Sequence, residues 1–288
     1  MPARADASTR RYYKGRFQGR PALLADFGED LDGLERFVHV GALLRNQGLS
    51  VPELLLSGEA QGWLVLAWIP GKTLSKVKWR EDFEDRLLQM AMAVSRIETW
   101  GPRPCLLELD GPRLAFELAF FRVHLVEGFL NLKASEELAR ALDALAEEAA
   151  SFPSALVHRD LHSENVLLDG QGRLFLTDFQ DALMAPRCYD AASLAVDAYR
   201  DQSPAIRARY LEKWAKLTGH PRAEFEVTAL QRALKALGTF GYQVARRKRA
   251  RYLSFMAPEA AHALAHLSAG PVSLEALRPI LESLLAVG

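Results

Sequence analysis

Cysteine is scarce in this chain, with two residues in 288, Cys105 and Cys188. They stand far apart without metal-like spacing, which excludes a disulfide-stapled scaffold and implies free thiols in a reducing cytoplasm. Charge of one sign is also missing: 36 Lys and Arg balance 36 Asp and Glu. No global field draws the chain to nucleic acid or to an anionic membrane. Long hydrophobic runs are absent. The most apolar stretch, Trp63 to Ile69, is far too short to cross a bilayer. The opening residues, Met1-Pro2-Ala3-Arg4-Ala5-Asp6, hold no apolar core of a signal peptide. A cytoplasmic protein with no nucleic-acid or membrane partner is expected, its oligomeric state left open.

What is present is enough apolar residue, 49% of the total, for a substantial core. The first seventy residues read as strand-rich. Arg10 to Phe17 and Pro21 to Asp26 suggest a hairpin around Gly19. A helix follows, with Asp32 and Glu35 at capping-box spacing and Leu34, Phe37, Val38, Gly41 and Leu44 on one face. Gly48 is placed to end it in a left-handed cap. Strands are expected at Glu53 to Leu56 and Trp63 to Ile69, before Pro70-Gly71 breaks the pattern. Beyond residue 71 helical stripes dominate. Leu138, Leu142, Leu145 and Ala149 follow a Ser135 cap, and Leu230, Leu234, Leu237, Gly241 and Val244 make a second stripe. Two short strands, near Asn165 to Leu168 and Leu174 to Thr177, interrupt them.

Those strands flank the most specific pattern in the chain. His158-Arg159-Asp160-Leu161-His162-Ser163-Glu164-Asn165 reads H-R-D-x-x-x-x-N, and Asp178-Phe179 follows thirteen residues after the Asn. Protein kinases use this set to place a catalytic Asp and two Mg²⁺ ligands around ATP. Asp160 takes the catalytic role here, orienting an acceptor hydroxyl and accepting its proton late. Asn165 and Asp178 take Mg²⁺, which prefers hard oxygen ligands. His158 reads as structural. The expected fold is α+β and bilobal, protein-kinase-like, with a small β-rich N-lobe over 1–70 and a large, mainly helical C-lobe over 71–288.

Departures from the protein-kinase pattern narrow the substrate. His162 stands where those enzymes carry a phosphate-touching Lys, and it retains a donor for the nucleotide's phosphate. Gln180-Asp181 follows Asp178-Phe179 in place of a Gly that would free an activation loop. Both point to a small-molecule acceptor. No G-x-G-x-x-G occurs, and Pro21 to Asp26 has no Lys. Ser8, Arg10 and Arg11 are the candidate phosphate contacts in the first hairpin, and Lys14, Arg10 or Arg11 the candidate substitutes for the strand Lys. Ala67-Trp68-Ile69 is the expected hinge that reads adenine through its backbone.

The segments His158 to Asn165, Leu176 to Ala182 and Cys188 to Leu194 resemble the aminoglycoside phosphotransferase and choline kinase superfamily. Within it the chain is similar to the bacterial N-acetylmuramate/N-acetylglucosamine 1-kinase family. That similarity rests on Asp178-Phe179-Gln180-Asp181-Ala182, on the Asp6 to Tyr12 stretch, on Leu230 to Gly238 and on Arg251-Tyr252-Leu253. It is weak between 72 and 150. The resemblance implies an ATP- and Mg²⁺-dependent kinase acting on the anomeric hydroxyl of an amino sugar in peptidoglycan recycling. It carries the catalytic role to Asp160 and the metal roles to Asn165 and Asp178. Asp181 then faces the acceptor or serves as a structural hydrogen-bond partner, and Asp190 fastens the catalytic loop to the next helix.

Arg246-Arg247-Lys248-Arg249-Ala250-Arg251 is the strongest local charge bias. It reads either as a solvated helix end or, through Arg251, as a bidentate partner for an acceptor carboxylate. Polycationic aminoglycosides would want the opposite charge. Choline would want an aromatic cage, for which Trp100, Phe240 and Tyr242 are candidates. Two other readings stand beside the sugar kinase: an aminoglycoside, choline or amino-alcohol phosphotransferase, and a non-catalytic nucleotide-binding pseudokinase.

Overall fold

Gln18 and Gly19 both have positive φ, 48° and 77°. This is the backbone of a tight hairpin turn, matched to the twist of its two strands. In a computed structural model describing residues 2–3, 10–98, 106–200, 203–269 and 272–287, the turn joins Arg11–Phe17 to Arg20–Asp26. With β1 (Pro2–Ala3), these strands are β2 and β3. Helix α1 (Leu31–Asn46) comes next, then β4 (Leu54–Gly58) and β5 (Trp63–Ala67). The antiparallel sheet has the order β1-β2-β3-β5-β4.

The cap of α1 differs from the capping box expected at Asp32. Asp30 is the cap, and its carboxylate accepts the N–H of Gly33 at 2.9 Å. Gly33 takes the third helical position, where the close Asp30 side chain leaves no room for a Cβ. The helix ends at Gly48, φ 79°, as its spacing predicts. Leu34, Phe37, Gly41 and Leu44 are buried, and Phe37 and Gly41 pack on Phe179. Phe37 and Phe179 rings lie 4.5 Å apart, and a Cβ on Gly41 would sit 3.2 Å from the Phe179 ring. The helix therefore holds the residue next to Asp178.

The remainder is mainly helical. After β6 (Gly71–Thr73) come α2 (Asp82–Ser95), α3 (Gly111–Phe121) and a π-helical turn at Arg122–Glu127. Helix α4 (Glu136–Ala150) is capped by Ser135 through Leu138 N–H, as expected. Strands β7 (Ser154–Val157), β8 (Val166–Asp169), β9 (Leu174–Leu176) and β10 (Leu183–Pro186) carry the kinase-like segment. Then follow α5 (Tyr189–Ala195), α6 (Pro204–Thr218), α7 (Arg222–Ala245), α8 (Met256–His266) and α9 (Arg278–Leu284). Strand β8 pairs with β6 and β9, and β7 pairs with β10. The bilobal α+β architecture is the expected one. Strands β6, β7 and β10 add to the expected set. At three or four residues each, they are too short to show a strand period.

Helix α7 is the spine of the helical part, buried on nearly every face. Gly238 and Gly241 let its backbone cross α3 and the π-turn at close range. A Cβ at either would lie 2.7–2.8 Å from backbone atoms of Phe121, His124 or Leu125. Cys188 is a buried free thiol pushed up to about 12 by burial, so it is unreactive. Ser8, Trp100 and Cys105 lie outside the described residues. Among the described residues, no helix is long and apolar enough to cross a membrane.

Candidate active site

The loop from β7 to β8 is held in an unusual conformation. Arg159 has φ 76°, a left-handed geometry that a bulky residue adopts only when its surroundings impose it. Asp190, buried in the first turn of α5, imposes it by accepting the N–H groups of His158 at 2.7 Å and Arg159 at 3.0 Å. Burial pushes the Asp190 carboxyl up to about 6, against the pull of those donors. His158 Nε2 meets the Thr177 carbonyl at 2.9 Å. A carbonyl only accepts, so Nε2 carries the proton and His158 pins the loop beside Asp178.

Asp160 projects from this loop, its side chain one-third exposed. Lys235 Nζ stands 3.1 Å from its Oδ1 and an Arg232 guanidinium nitrogen 3.8 Å away, both from α7. Burial alone would raise the Asp160 carboxyl, but Lys235, Arg232 and Arg159 outweigh it and hold it far below the usual carboxylate range. Glu117 of α3 supports these cations from behind. It pairs with Arg159 at 3.2 Å, accepts from Gln231 at 2.9 Å and lies 3.9 Å from Lys235. Burial raises the Glu117 carboxyl too, yet the same three cations bring it below its ordinary value.

Asn165 donates its amide N–H to the Asp160 carbonyl at 2.9 Å, which leaves its side-chain oxygen as the atom able to ligate a cation. Asp178 adopts a left-handed backbone, φ 60°. Its Oδ1 accepts from Gln180 Nε2 at 2.8 Å, and the same amide reaches Asp181 Oδ2 at 2.8 Å. Asn165 and Asp178 thus offer one amide and one carboxylate oxygen. Mg²⁺ in phosphate-transfer sites takes one or two such protein ligands and completes its shell with phosphate oxygens and water. The donor set fits.

Arg10, at the entrance to β2, is only 9% exposed. Its guanidinium lies 3.8 Å from each of three carboxylates, Asp30 at the α1 cap, Asp178 and Asp181. In protein kinases a strand Lys links an αC Glu to the nucleotide phosphates. The chain has no Lys on β3, and Arg10 occupies the junction between a helix cap and the Asp178 carboxylate instead. Arg11 is exposed opposite Asp26. Lys14 lies over the Trp68 ring at 4.1 Å. At the expected hinge, Ala67 N–H donates to the Glu53 carbonyl and Trp68 N–H to Pro21. Ile69 follows directly, before β6.

Other expected residues fall elsewhere. His162 shares a cavity with Asp160, its ring 4.8 Å from Tyr199, and burial keeps it neutral by lowering its pKa. Asp181 sits in the Arg10 cluster beside Asp178. Arg251 is exposed and bonds Tyr252 Oη at 3.1 Å while stacking on that ring. It is not among the cavity-lining residues. The basic stretch before it is solvated, apart from partly buried Arg249. Phe240 lines the cavity, whereas Tyr242 stacks on Phe120 and His124.

The cavity beside Asp160 encloses about 100 Å³ and opens to solvent. Arg232, Lys235, Tyr199, Asp197 and Glu259 also line it. Sequence reasoning missed all five. The available signal was Arg232 and Lys235, three residues apart and so on one face of α7.

An ionised Asp at a cavity mouth, an Asn and Asp pair beside it and a cation between the sheet and the Asp178 carboxylate define a kinase-like phosphotransferase. A phosphotransferase enzyme family model matches residues 1–225, and the chain belongs to that family. It is a kinase. The N-acetylmuramate/N-acetylglucosamine kinase of Pseudomonas aeruginosa is 30% identical over 271 residues, covering 88% of this chain and 79% of the relative. A microcompartment-associated aminopropanol kinase superposes with a TM-score of 0.65 at 17% identity, over 99% of this chain and 93% of its own. An ADP-bound aminoglycoside phosphotransferase gives 0.60 at 14% identity, over 98% and 90%. These two likenesses speak to the fold.

Proposed function

We propose that the protein is an ATP- and Mg²⁺-dependent kinase of the anomeric C1 hydroxyl of an N-acetylated amino sugar, N-acetylmuramate or N-acetylglucosamine. Cell-wall recycling in the cytoplasm is the setting in which such a product is used. The name of the Pseudomonas relative supports the acceptor class. The carrying observation is the pair of cations, Lys235 and Arg232, that flank Asp160 on the cavity wall. They share that wall with Asp160, Asp197 and Glu259, a mixed lining that suits a polar acceptor without a cluster of positive charge.

Asp160, held ionised, orients the acceptor hydroxyl toward the phosphoryl group. A carboxylate with so low a pKa is a weak base, so it accepts the proton only late, as a loose phosphoryl-transfer transition state requires. The anomeric hydroxyl is the most acidic on a sugar and asks least of such a base. Mg²⁺, when bound by Asn165 and Asp178, neutralises charge on the phosphates. Arg10 adds a cation on the nucleotide side. We place the boundary between nucleotide and acceptor lobes at residues 70 and 71.

Incubation with ATP, Mg²⁺ and a panel of N-acetylmuramate, N-acetylglucosamine, kanamycin and choline, followed by NMR, tests this. A phosphorus-coupled anomeric carbon is expected. Phosphorylation of kanamycin or choline alone overturns it, and nucleotide binding without any turnover leaves the pseudokinase reading.

A further inference from the structure

Glu259 lies in the first turn of α8, is 0% exposed and lines the cavity that holds Asp160. Among the described residues, none donates a hydrogen bond to either of its carboxyl oxygens. Its one close partner is His262, one turn along α8, which pairs with it through Nδ1 at 3.4 Å from Oε2 without the alignment of a good hydrogen bond. A buried carboxyl without donors is costly, and native structures rarely keep one without a use. The residue also borders the cavity. On the same cavity wall are the rings of Tyr199 and Phe240, 6.3 Å apart and nearly perpendicular.

We infer that Glu259 is an acceptor-recognition residue, accepting a hydrogen bond from a neutral donor on the substrate, a ring hydroxyl or an amide N–H. The inference rests on the sugar-kinase reading above and adds the group that tells one acceptor from another. Tyr199 and Phe240 offer an apolar wall for a sugar's C–H face, while Asp160 takes the reacting hydroxyl. A sugar meets both demands because its ring is apolar on its faces and polar at its rim.

The charges around Glu259 are mixed: Arg232 and Lys235 share the cavity with Asp160 and Asp197. Burial raises the Glu259 carboxyl, which weakens its attraction for a cation, although His262 and Arg232 oppose that rise.

Steady-state kinetics of Glu259→Ala, Glu259→Leu and Glu259→Gln against N-acetylglucosamine and choline test the assignment. Loss of one hydrogen bond to a charged group should raise KM for N-acetylglucosamine about 10- to 100-fold in the Ala or Leu variant. The KM for ATP should stay unchanged. Gln keeps an acceptor oxygen, and its KM should remain within about fivefold of the parent. Leu conserves volume, so it reports if Ala fails to fold, and a melting curve checks each variant. Sugar turnover indifferent to Ala and Leu in folded protein overturns this inference alone, as does a Gln variant as impaired as Ala. Turnover of choline but of no sugar by the unaltered protein overturns it together with the function on which it rests.

Discussion

Lys235 Nζ lies 3.1 Å from Asp160 Oδ1, an ammonium on the central helix bound to the carboxylate of the catalytic loop. The pair is partly buried, and Glu117 stands behind it. Removing the ammonium leaves a carboxyl that burial pushes upward. In Lys235→Met, the acid limb of the kcat/KM profile should therefore move to higher pH, and kcat should fall by about 10²-fold. A pH-rate series on both proteins checks this. An unmoved acid limb would separate Lys235 from the ionisation of Asp160.

Asp160→Asn keeps the shape of the loop but loses the proton acceptor. Turnover should fall by roughly 10²–10⁴-fold while ATP affinity, measured by calorimetry, stays close to that of the parent.

Arg10 joins the α1 cap to Asp178 and Asp181. If it serves the phosphates, Arg10→Met should raise KM for ATP by about tenfold and leave KM for the acceptor alone. Lys would restore part of the loss, since it keeps the charge without the fork. Initial rates over varied ATP at saturating acceptor decide it.

Asp160 and Glu117 both titrate below their ordinary values of 3.8 and 4.5. Carboxylates depressed in the folded state contribute stability that is present above the unfolded pKa and lost as pH falls below it. Asp190, raised to about 6, has the opposite sign, its contribution lost as pH rises from 3.8 through 6. The stability gap between the parent and Asp160→Asn isolates the first effect. It should be constant from pH 5 to 7 and shrink below about pH 4, as read by urea unfolding.

Gly241→Ala places a Cβ 2.8 Å from the His124 carbonyl and Leu125 backbone. Backbone cannot yield as a side-chain tip does, so a loss of about 1–3 kcal/mol is expected despite the better helix former. A thermal melt measures it. The kinase site should remain assembled in whatever fraction stays folded.

The catalytic loop was legible because its chemistry is local. Asp160 and Asn165 are five residues apart, and Asp178 follows in the next hairpin, so one continuous stretch of chain displays the set. Hairpin and helix caps were legible for the same reason, with Gly19, Gly48 and Ser135 acting on their immediate neighbours. The Asp32 cap was misplaced by two residues because Asp30 competes for the same role. Only the observed hydrogen bond to Gly33 separates them.

Residue order by itself determined the α+β arrangement and the phosphotransferase motif, since spacing along the chain dictates strand turns, helix caps and loop chemistry. Tertiary structure alone decided what surrounds the motif. Lys235 is 75 residues from Asp160 and Glu259 further still. Only the crossing of α7 over α3, at the close range that Gly238 and Gly241 permit, and the packing of α8 on α7 bring their charges to one cavity. Arg10 likewise acquires its role only when α1 and the Asp178 turn fold against it. A buried charge takes its meaning from the partners that desolvate with it, and those partners are fixed by packing.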